Sequence, residues 1–330
     1  MSNRRLLVTG GSGFIGTNLV DRFLADGWTV QSYDIARPRN SGHLACWSEI
    51  DILDRSRLMQ GAADFRPDTL LHFAARTDLD ERTNLAGYAA NIEGVINVID
   101  AIRATPSIER VIFASSQLVG APDRTPTADD DYRPATPYGL SKLLGERIVR
   151  VAHEIDATWT IVRPTSIWGP WFGAPYLAFF LAIARGMYVH PAGGQIWKQW
   201  GYVGNAVFQV RQVLQADPAL VHRKTFYVAD YERLEIHEFA DRVSRAFGAR
   251  RIRSVPRPLL KVAAVLGDIA KKVGWSDPPL STFRYDNIVR NETQELGAMR
   301  QLTGDLPYSL DDGIERTVQW IQDHHHRLPT

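Results

Sequence analysis

The chain of 330 residues is longer than most single domains, so its length predicts one large α/β domain with a smaller appended region. Its 38 basic and 37 acidic residues give a formal net charge of +1, which argues against a nucleic-acid-binding protein. The single cysteine, Cys46, can form neither an intramolecular disulfide nor a thiolate metal site, and a reducing, cytoplasmic location is expected.

The N-terminal residues enter a strand pattern without the apolar stretch of a signal peptide, so we expect no export. Two apolar stretches, 176–189 and 259–273, contain charges and are too short to span a membrane, which predicts packed helices and no integral membrane span. The second stretch is weakly amphipathic, and this leaves peripheral membrane contact open. The histidine triplet 324–326 resembles a metal cluster, but a solvated tail is expected and no metal is predicted.

Strand-like runs alternate with helical patterns through the first half of the chain, which predicts a parallel sheet covered by helices on both faces. The predicted strands are 5–9, 29–34, 49–52, 69–74, 110–115 and 158–163, followed after a helix from about 205 to 215 by a strand at 224–228. After Pro164 this alternation stops, and prolines and aromatic residues become frequent. The C-terminal region is expected to be mainly helical.

A glycine-rich turn follows the first predicted strand and opens an amphipathic helix. Gly10 permits a tight turn, Gly13 lets the backbone approach a pyrophosphate, and Gly16 allows close packing of helix on strand. The helix N-terminus, with Phe14 and Ile15, offers unpaired N–H groups to an anion. This context predicts a Rossmann-type, doubly wound, mostly parallel sheet. Residues 1–166 and about 200–230 then form a dinucleotide-binding domain, and 167–199 and 231–330 a substrate-binding region.

Asp34 ends the second predicted strand, where an acidic side chain accepts hydrogen bonds from the adenosine ribose. A carboxylate there repels the 2′-phosphate of NADP and favours NAD, although Arg37 and Arg39 leave NADP open. Asp51 and Ile52 follow the third predicted strand and are candidates to flank the adenine. A carboxylate at a strand end is equally an ordinary cap.

Tyr138 and Lys142 are four residues apart, so on a helix they share one face. A nearby ammonium favours the tyrosinate, so we expect a lowered pKa for Tyr138 and a base usable near neutrality. Pro137 suits the first turn of that helix. Ser115 ends the fifth predicted strand, at the sheet edge where ligands bind, and can hydrogen-bond the reacting oxygen. The trio predicts hydride transfer between a nicotinamide and an alcohol carbon.

The order of these motifs resembles the extended short-chain dehydrogenase/reductase family, and within it the nucleotide-sugar epimerases and dehydratases of the UDP-galactose 4-epimerase type. The resemblance covers residues 9–16, 34, 51–52, 72–75, 91–94 with 97, 115–120, 138–142 and 163–170. It implies that Lys142 also holds the nicotinamide ribose and that His72 is structural. It implies further cofactor-site residues: Phe73, Ala74 and Ala75 line the cofactor, Asn91 braces the central site, and Pro164 and Thr165 lie near the nicotinamide.

Departures from the family pattern narrow the expected chemistry. Sugar 4,6-dehydratases carry an Asp-Glu pair where this chain has Ser116-Gln117, so elimination of water is disfavoured. Epimerases that invert a carbon next to a ketone need an added acid–base pair, often Cys with His. Cys46 lies in a segment of the sequence where it could not serve in such a pair. A 4-epimerase needs neither the dehydratase acids nor the added acid–base pair. Tyr138 takes the hydroxyl proton while hydride leaves C4, and the hydride then returns to the other face of the 4-keto sugar.

The substrate side departs further from the family. Ser166 stands in place of Asn, and Lys198 occupies the approximate position of a pyrophosphate-binding Arg without its planar, two-pronged geometry. Residues 202–205 resemble a Tyr-Val-x-Asp segment in which Asn205 replaces Asp. The predicted substrate-binding residues are Arg76, Ser116, Gln117, Ser166, Lys198 and Arg284.

The leading hypothesis is a nucleotide-sugar 4-epimerase that keeps its NAD bound, in polysaccharide precursor synthesis. The alternatives are an NAD(P)-dependent reductase or dehydrogenase of a keto-sugar or other secondary alcohol, similar to 3-beta-hydroxysteroid dehydrogenase, and a non-catalytic nucleotide-binding protein. The resemblance also implies a homodimer formed by the helices around 91–104 and beginning at Tyr138.

Overall fold

The computed structural model describes residues 4–79, 84–121, 126, 128–275 and 280–324. The chain divides into two compact units, of which the first combines Met1–Phe172, Gly201–Tyr231 and Gln294–Tyr308. The second combines Gly173–Trp200, Glu232–Thr293 and Ser309–Thr330. Segments 167–172 and 294–308, which the sequence division placed in the second region, therefore belong to the first unit.

Thirteen strands and twelve helices form the described chain, together with three 3-10 turns at Ser41–Cys46, Leu85–Tyr88 and Gln117–Val119. The strands are β1 (Arg5–Thr9), β2 (Thr29–Asp34), β3 (Trp47–Glu49), β4 (Thr69–His72), β5 (Arg110–Ala114), β6 (Thr158–Pro164), β7 (Ser166–Trp168), β8 (Val189–Ala192), β9 (Trp197–Lys198), β10 (Trp200–Tyr202), β11 (Thr225–Val228), β12 (Leu234–Glu235) and β13 (Arg253–Pro256). The helices are α1 (Phe14–Ala25), α2 (Arg55–Phe65), α3 (Ala89–Arg103), α4 (Pro137–Val151), α5 (Tyr176–Ala184), α6 (Val203–Gln215), α7 (Pro218–Val221), α8 (Ile236–Ala246), α9 (Arg257–Lys272), α10 (Thr282–Val289), α11 (Gly297–Thr303) and α12 (Leu310–His324).

The first unit is built on a seven-stranded sheet in the order β11-β6-β5-β4-β1-β2-β3, and every pairing within it is parallel. Leu70 and Leu71 in β4 and Val111 and Ile112 in β5 are at most 1% exposed, as expected for strands covered on both faces. The strand order reverses between β1 and β4, which creates the crevice at the carboxyl ends where such sheets bind ligands. The predicted doubly wound fold is confirmed.

The third predicted strand, 49–52, is wrong, because β3 ends at Glu49. Asp51 Oδ1 accepts a hydrogen bond from Leu53 N at 2.9 Å, and this local turn replaces the ladder of a strand. Ile50 and Ile52 remain 8% and 5% exposed, so their apolar character reflects burial in the core rather than strand structure.

The second unit is mainly helical, with a parallel pair of β8 with β13 and an antiparallel pair of β9 with β12. The predicted helix at 176–189 is shorter than expected, because α5 ends at Ala184. In the described part of the chain no helix has the combined length and apolarity to cross a bilayer. Of the histidine triplet only His324, the last residue of α12, lies within the described residues.

The buried side chains of Asn205 and Asp230 hold segment 294–308 against the rest of the first unit. Asn205 Nδ2 donates to Asp230 Oδ1 at 2.9 Å and to the Tyr308 carbonyl at 2.9 Å, while Tyr308 N donates to Asn205 Oδ1 at 3.1 Å. The backbone N–H of Tyr202 donates to Asp230 Oδ2 at 3.1 Å. The side-chain amide of Asn205 can donate these hydrogen bonds, whereas an ionised Asp at position 205 has no donor.

Burial raises the pKa of Asp230 to about 7, although Asn205 and Tyr202 act in the opposite direction. Between its pKa of about 4 in the unfolded chain and about 7 in the fold, the folded state keeps a proton that the unfolded state has lost. The contribution of Asp230 to stability is therefore expected to fall as pH rises through this window. Asp230→Asn is expected to remove this part of the pH dependence, because an amide does not titrate in this range.

Urea unfolding at pH 5 and pH 8 measures this effect. Asp305→Asn is the matched control, because the Asp305 side chain is 98% exposed, and it is expected to leave the pH dependence of wild type unchanged. An Asp230→Asn variant that keeps the wild-type pH dependence would contradict the assignment.

Candidate active site

The glycine-rich turn between β1 and α1 has the geometry predicted from its spacing. Gly10 has φ +80°, and a Cβ there would lie 2.4 Å from Ala74 N. A Cβ on Gly16 would lie 2.0 Å from the Gly10 carbonyl oxygen, so only glycine lets α1 approach the turn this closely. At Gly13, the N-cap of α1, the nearest atom to a Cβ is the Gly10 oxygen at 3.1 Å, and no side chain caps the helix. The N-terminus of α1 can therefore receive a pyrophosphate.

The Asp34 carboxylate lies beside this turn, at the end of β2. Its Oδ2 accepts a hydrogen bond from Ser12 N at 3.0 Å and its Oδ1 one from Ala36 N at 3.0 Å. Arg39 donates through Nε to the Ser12 carbonyl at 3.1 Å and through Nη1 to the Trp171 carbonyl at 2.7 Å. The guanidinium of Arg39 is thus engaged with backbone carbonyls, which leaves Asp34 as the predicted ribose acceptor. Together with the glycine turn, this arrangement fits NAD.

Asp51 and Ile52, the residues predicted to flank the adenine, have different roles in the fold. Asp51 caps the turn after β3, which is the alternative that the sequence left open. Ile52 is buried, and a Cβ on Gly94 would lie 2.5 Å from its Cδ1, so α3 packs closely over it. Their contact with a cofactor stays a prediction.

The chain leaving β4 runs past the glycine turn. Phe73, Ala74 and Ala75 are partly buried there, with Phe73 N donating to the Thr9 carbonyl at 2.9 Å. Arg76, a predicted substrate ligand, forms two hydrogen bonds to the carboxylate of Asp78, at 2.7 and 3.0 Å. The loop itself therefore engages the Arg76 guanidinium, and a substrate contact through it stays a prediction.

Asn91 ties this loop to α4. Its Nδ2 donates to the Arg76 carbonyl at 3.0 Å and to Ser141 Oγ at 2.8 Å, and its Oδ1 accepts from Arg76 N at 2.8 Å. Ser141 Oγ in turn donates to the Tyr138 carbonyl at 2.7 Å. Asn91 is 1% exposed and braces the site, as the family resemblance implied.

Helix α4 is positioned by its cap and by two glycines. Thr136 Oγ1 accepts from Gly139 N at 3.0 Å, and Pro137 occupies the first turn as predicted. A Cβ on Gly139 would lie 2.2 Å from the Leu118 carbonyl oxygen, and one on Gly145 would lie 2.9 Å from the Asn91 carbonyl oxygen. These close approaches bring α4 against the 3-10 turn that follows β5 and against the start of α3. The sequence analysis did not single out either glycine, although their spacing on one helix was visible.

Ser115, Tyr138 and Lys142 are all buried at this edge, at 8%, 8% and 6% exposed. Ser115 and Lys142 line a cavity of about 20 Å³ together with His72, Asn91 and Glu146. This volume holds about one water molecule among polar groups.

The expected lowering of the Tyr138 pKa is wrong for this structure. Burial raises the pKa of Tyr138 to about 12, and a hydrogen bond with Ser116 opposes the shift only partly. Burial also lowers the pKa of Lys142 to about 8, while the charge of Glu146 counteracts this change. The four-residue spacing of Tyr138 and Lys142 therefore does not by itself lower the pKa of the phenol.

His72 is neutral and structural, as the family resemblance implied. Its Nδ1 and Thr9 Oγ1 lie 2.7 Å apart and share a hydrogen bond. Burial, reinforced by the charge of Lys142, lowers the pKa of His72 to about 3.

The sequence analysis missed the residue that continues the Tyr138–Lys142 face by one more turn. Glu146 Oε1 and Oε2 accept hydrogen bonds from Arg163 Nε and Nη2, both at 2.8 Å, and Tyr132 OH donates to Oε2 at 2.8 Å. Although burial acts in the opposite direction, Arg163 holds the pKa of Glu146 below its usual value. The repeat of four residues was visible in the sequence, but the partner on β6 was not.

The substrate-side residues after β5 form a short chain of side chains. Gln117 Nε2 donates to Ser166 Oγ at 3.4 Å, and Gln294 Nε2 donates to Gln117 Oε1 at 3.2 Å. Ser116 Oγ accepts from Leu118 N at 3.2 Å. The sequence analysis missed Gln294, because it lies 177 residues beyond Gln117.

The end of β6 lies at the same sheet edge. Pro164 closes that strand, and both the N–H and the hydroxyl of Thr165 donate to the Val228 carbonyl, at 3.0 and 3.2 Å. Their predicted position near the nicotinamide stays a prediction.

Lys198 and Arg284 belong to the second unit. Lys198 is 3% exposed, and its Nζ donates to the Asn287 carbonyl at 2.7 Å and to Glu292 Oε1 at 2.8 Å. This buried ion pair gives Lys198 a structural partner and argues against its predicted role as a phosphate ligand. Arg284 is exposed in the first turn of α10, and its substrate contact stays a prediction.

Removal of the buried carboxylate is expected to destabilise the fold strongly. Glu146→Gln would leave Arg163 buried without its counter-charge and should lower the free energy of unfolding by roughly 3–5 kcal/mol, measured by urea denaturation. Glu154→Gln removes the partner of Arg103 in an exposed pair and should cause no measurable change. Equal stability of Glu146→Gln and wild type would show that the buried pair does not support the fold.

A model of the NAD dependent epimerase/dehydratase family matches residues 6–229. The chain is 26% identical over 328 residues to the N-acetyl-alpha-D-glucosaminyl-diphospho-ditrans,octacis-undecaprenol 4-epimerase of Escherichia coli O157:H7, covering 96% of this chain and 95% of that protein. It is 30% identical to the UDP-glucose 4-epimerase of Mycolicibacterium smegmatis over 180 residues, covering 50% of this chain and 57% of that protein.

Among solved structures, the UDP-glucose 4-epimerase of Thermotoga maritima with UDP-glucose superimposes with a TM-score of 0.75 at 20% identity. The match covers 97% of this chain and 99% of that chain, and at this identity it concerns the fold. Together these comparisons confirm the predicted family resemblance and NAD as the cofactor.

Proposed function

Because the chain belongs to the NAD dependent epimerase/dehydratase family, we propose that it is an NAD-dependent 4-epimerase of a nucleotide-linked sugar. The observation that carries the proposal is that Ser115 and Lys142 line one cavity at the edge of the sheet, while the buried Tyr138 lies one turn before Lys142 on α4. Ser116 and Gln117 occupy the positions of the dehydratase acids and offer no carboxyl group. The site therefore has the groups that a transient oxidation needs, while positions 116 and 117 offer no acid for eliminating water.

The three side chains divide the work at the sugar C4 hydroxyl. Ser115 donates a hydrogen bond to the reacting oxygen, and the Tyr138 oxygen accepts its proton. Lys142 holds a positive charge close to Tyr138 and stabilises the phenolate. Bound NAD supplies the hydride acceptor and, in the second half of the reaction, the hydride donor. Gly10, Gly13 and Asp34 would hold this cofactor, and its positive charge, together with that of Lys142, would favour the Tyr138 phenolate against the effect of burial. Tyr138 then returns the proton as the 4-keto group is reduced from the other face.

Tyr138→Phe is expected to lower kcat by about 10²–10⁴-fold, because it removes the proton acceptor, while NAD binding persists. Steady-state kinetics and calorimetric titration with NAD measure the two effects. Tyr88→Phe is the matched control, since its buried ring lies 6.1 Å from that of Tyr138 and its hydroxyl donates to the Asp78 carbonyl. Turnover of the control should stay within a few-fold of wild type, and unchanged turnover of Tyr138→Phe would exclude it from the mechanism.

Incubation with UDP- and GDP-hexoses is expected to produce the C4 epimer without net formation or consumption of NADH. Nuclear magnetic resonance of the sugar and absorbance of the nicotinamide measure the two products. Steady consumption of added cofactor would instead support the reductase or dehydrogenase alternative. Loss of neither substrate nor cofactor across the panel would support a binding protein.

A second candidate substrate is a sugar joined through a diphosphate to a polyprenol, as in the name of the Escherichia coli relative. The observation that favours it is the exposed apolar face of α9, since a lipid-linked sugar is confined to a membrane surface. The same assay with a polyprenyl-diphosphate hexose in detergent micelles distinguishes the two substrates.

The homodimer and the cytoplasmic location also remain proposals. Helices α3 and α4 pack against each other within the first unit, and Ile96 and Leu140 on them are 44% and 38% exposed. These side chains support the expected interface between two copies.

A further inference from the structure

Helix α9 exposes a continuous apolar face to solvent. Its side chains recur at intervals of three and four residues, so they lie on one side of the helix. The members of this α9 face are Leu259 (62% exposed), Val262 (59%), Leu266 (60%), Ile269 (51%) and Val273 (81%). Trp275, which follows the helix, is 56% exposed. So many large apolar side chains on one helix indicate an interaction surface.

The opposite side of α9 is well anchored, so the exposure does not come from a detached helix. Leu260 and Ala264 pack with Tyr285 of α10 in a small buried cluster. Asp268 accepts hydrogen bonds from the backbone N–H and the hydroxyl of Thr282 at the start of α10. The inner face thus has partners, and the α9 face is presented by a fixed helix.

The segment of sequence that contains α9 is strongly basic. Residues 250–275 contain seven basic side chains and one acidic side chain, Asp268, which is engaged with Thr282. Lys261, Lys271 and Lys272 are exposed on α9 itself. An apolar face with a basic flank and a neighbouring tryptophan is the pattern of a helix that lies in the headgroup region of a membrane. The described chain has no helix that could span one.

We propose that the α9 face is a peripheral membrane-binding surface that inserts into the headgroup region of an anionic phospholipid bilayer. The apolar side chains enter the boundary with the acyl chains, and the lysines remain at the level of the lipid phosphates. A second copy of the chain is disfavoured as the partner of the α9 face, because the basic side chains of the two α9 helices would repel each other. The proposal does not depend on the catalytic one, since vesicle binding needs neither substrate nor NAD.

Flotation of the full chain with vesicles tests the proposal. Wild type is expected to float with mixed phosphatidylcholine–phosphatidylglycerol vesicles, less with phosphatidylcholine alone, and less as salt rises. Leu266→Glu with Ile269→Glu should weaken binding by at least about tenfold. Lys271→Gln with Lys272→Gln should weaken binding to the anionic vesicles by about fivefold per lysine.

Leu220→Glu is the matched control, because Leu220 is an equally exposed apolar residue, at 53%, on α7 of the first unit. It should bind vesicles like wild type, and thermal unfolding of all variants should be unchanged because the substituted side chains are exposed. Absence of wild-type flotation on anionic vesicles would overturn the proposal. So would an equal loss in Leu220→Glu, or a change from dimer to monomer in Leu266→Glu with Ile269→Glu without any vesicle binding.

Discussion

The buried charges along α4 constrain everything around the candidate active site. Lys142 is 6% exposed, and burial alone would drive it towards the neutral amine. Glu146 on the next turn favours its charged form, and Arg163 on β6 keeps that carboxylate ionised through two hydrogen bonds. The positive charge of Lys142 that the proposed reaction needs thus depends, through Glu146, on Arg163 in the sheet. This dependence explains why α4 must lie so close to β5 and β6.

Close helix packing also decides which residues had to be small. Gly10 lets the first turn approach the chain after β4, and Gly16 lets α1 approach that turn. Gly139 and Gly145 let α4 approach the chain after β5 and the start of α3. In each case the neighbour is a backbone atom, which cannot rotate out of the way as a side chain can. The cofactor turn and the catalytic helix are therefore fixed by the same kind of contact.

Local sequence patterns predicted the fold well where periodicity and burial coincide. The bounds of β1 and β2, the need for glycine at positions 10 and 16, and the placement of Tyr138 and Lys142 on one helix all follow from spacing within one or two elements. Sequence patterns did not reveal contacts between residues that are far apart in the chain. The pairing of Lys198 with Glu292 and the contact of Gln294 with Gln117 were not predicted for this reason. The Tyr138 pKa was misjudged because spacing does not report burial.

The connectivity of the two units has a consequence for how such a chain can change. The polypeptide passes between the units five times, and the last return, 294–308, is held to the first unit through Asn205 and Tyr308. Recombination at a single breakpoint would leave both units with missing pieces. New substrate preferences in this lineage should therefore accumulate by individual amino-acid replacements, with neither unit transferred as an intact module.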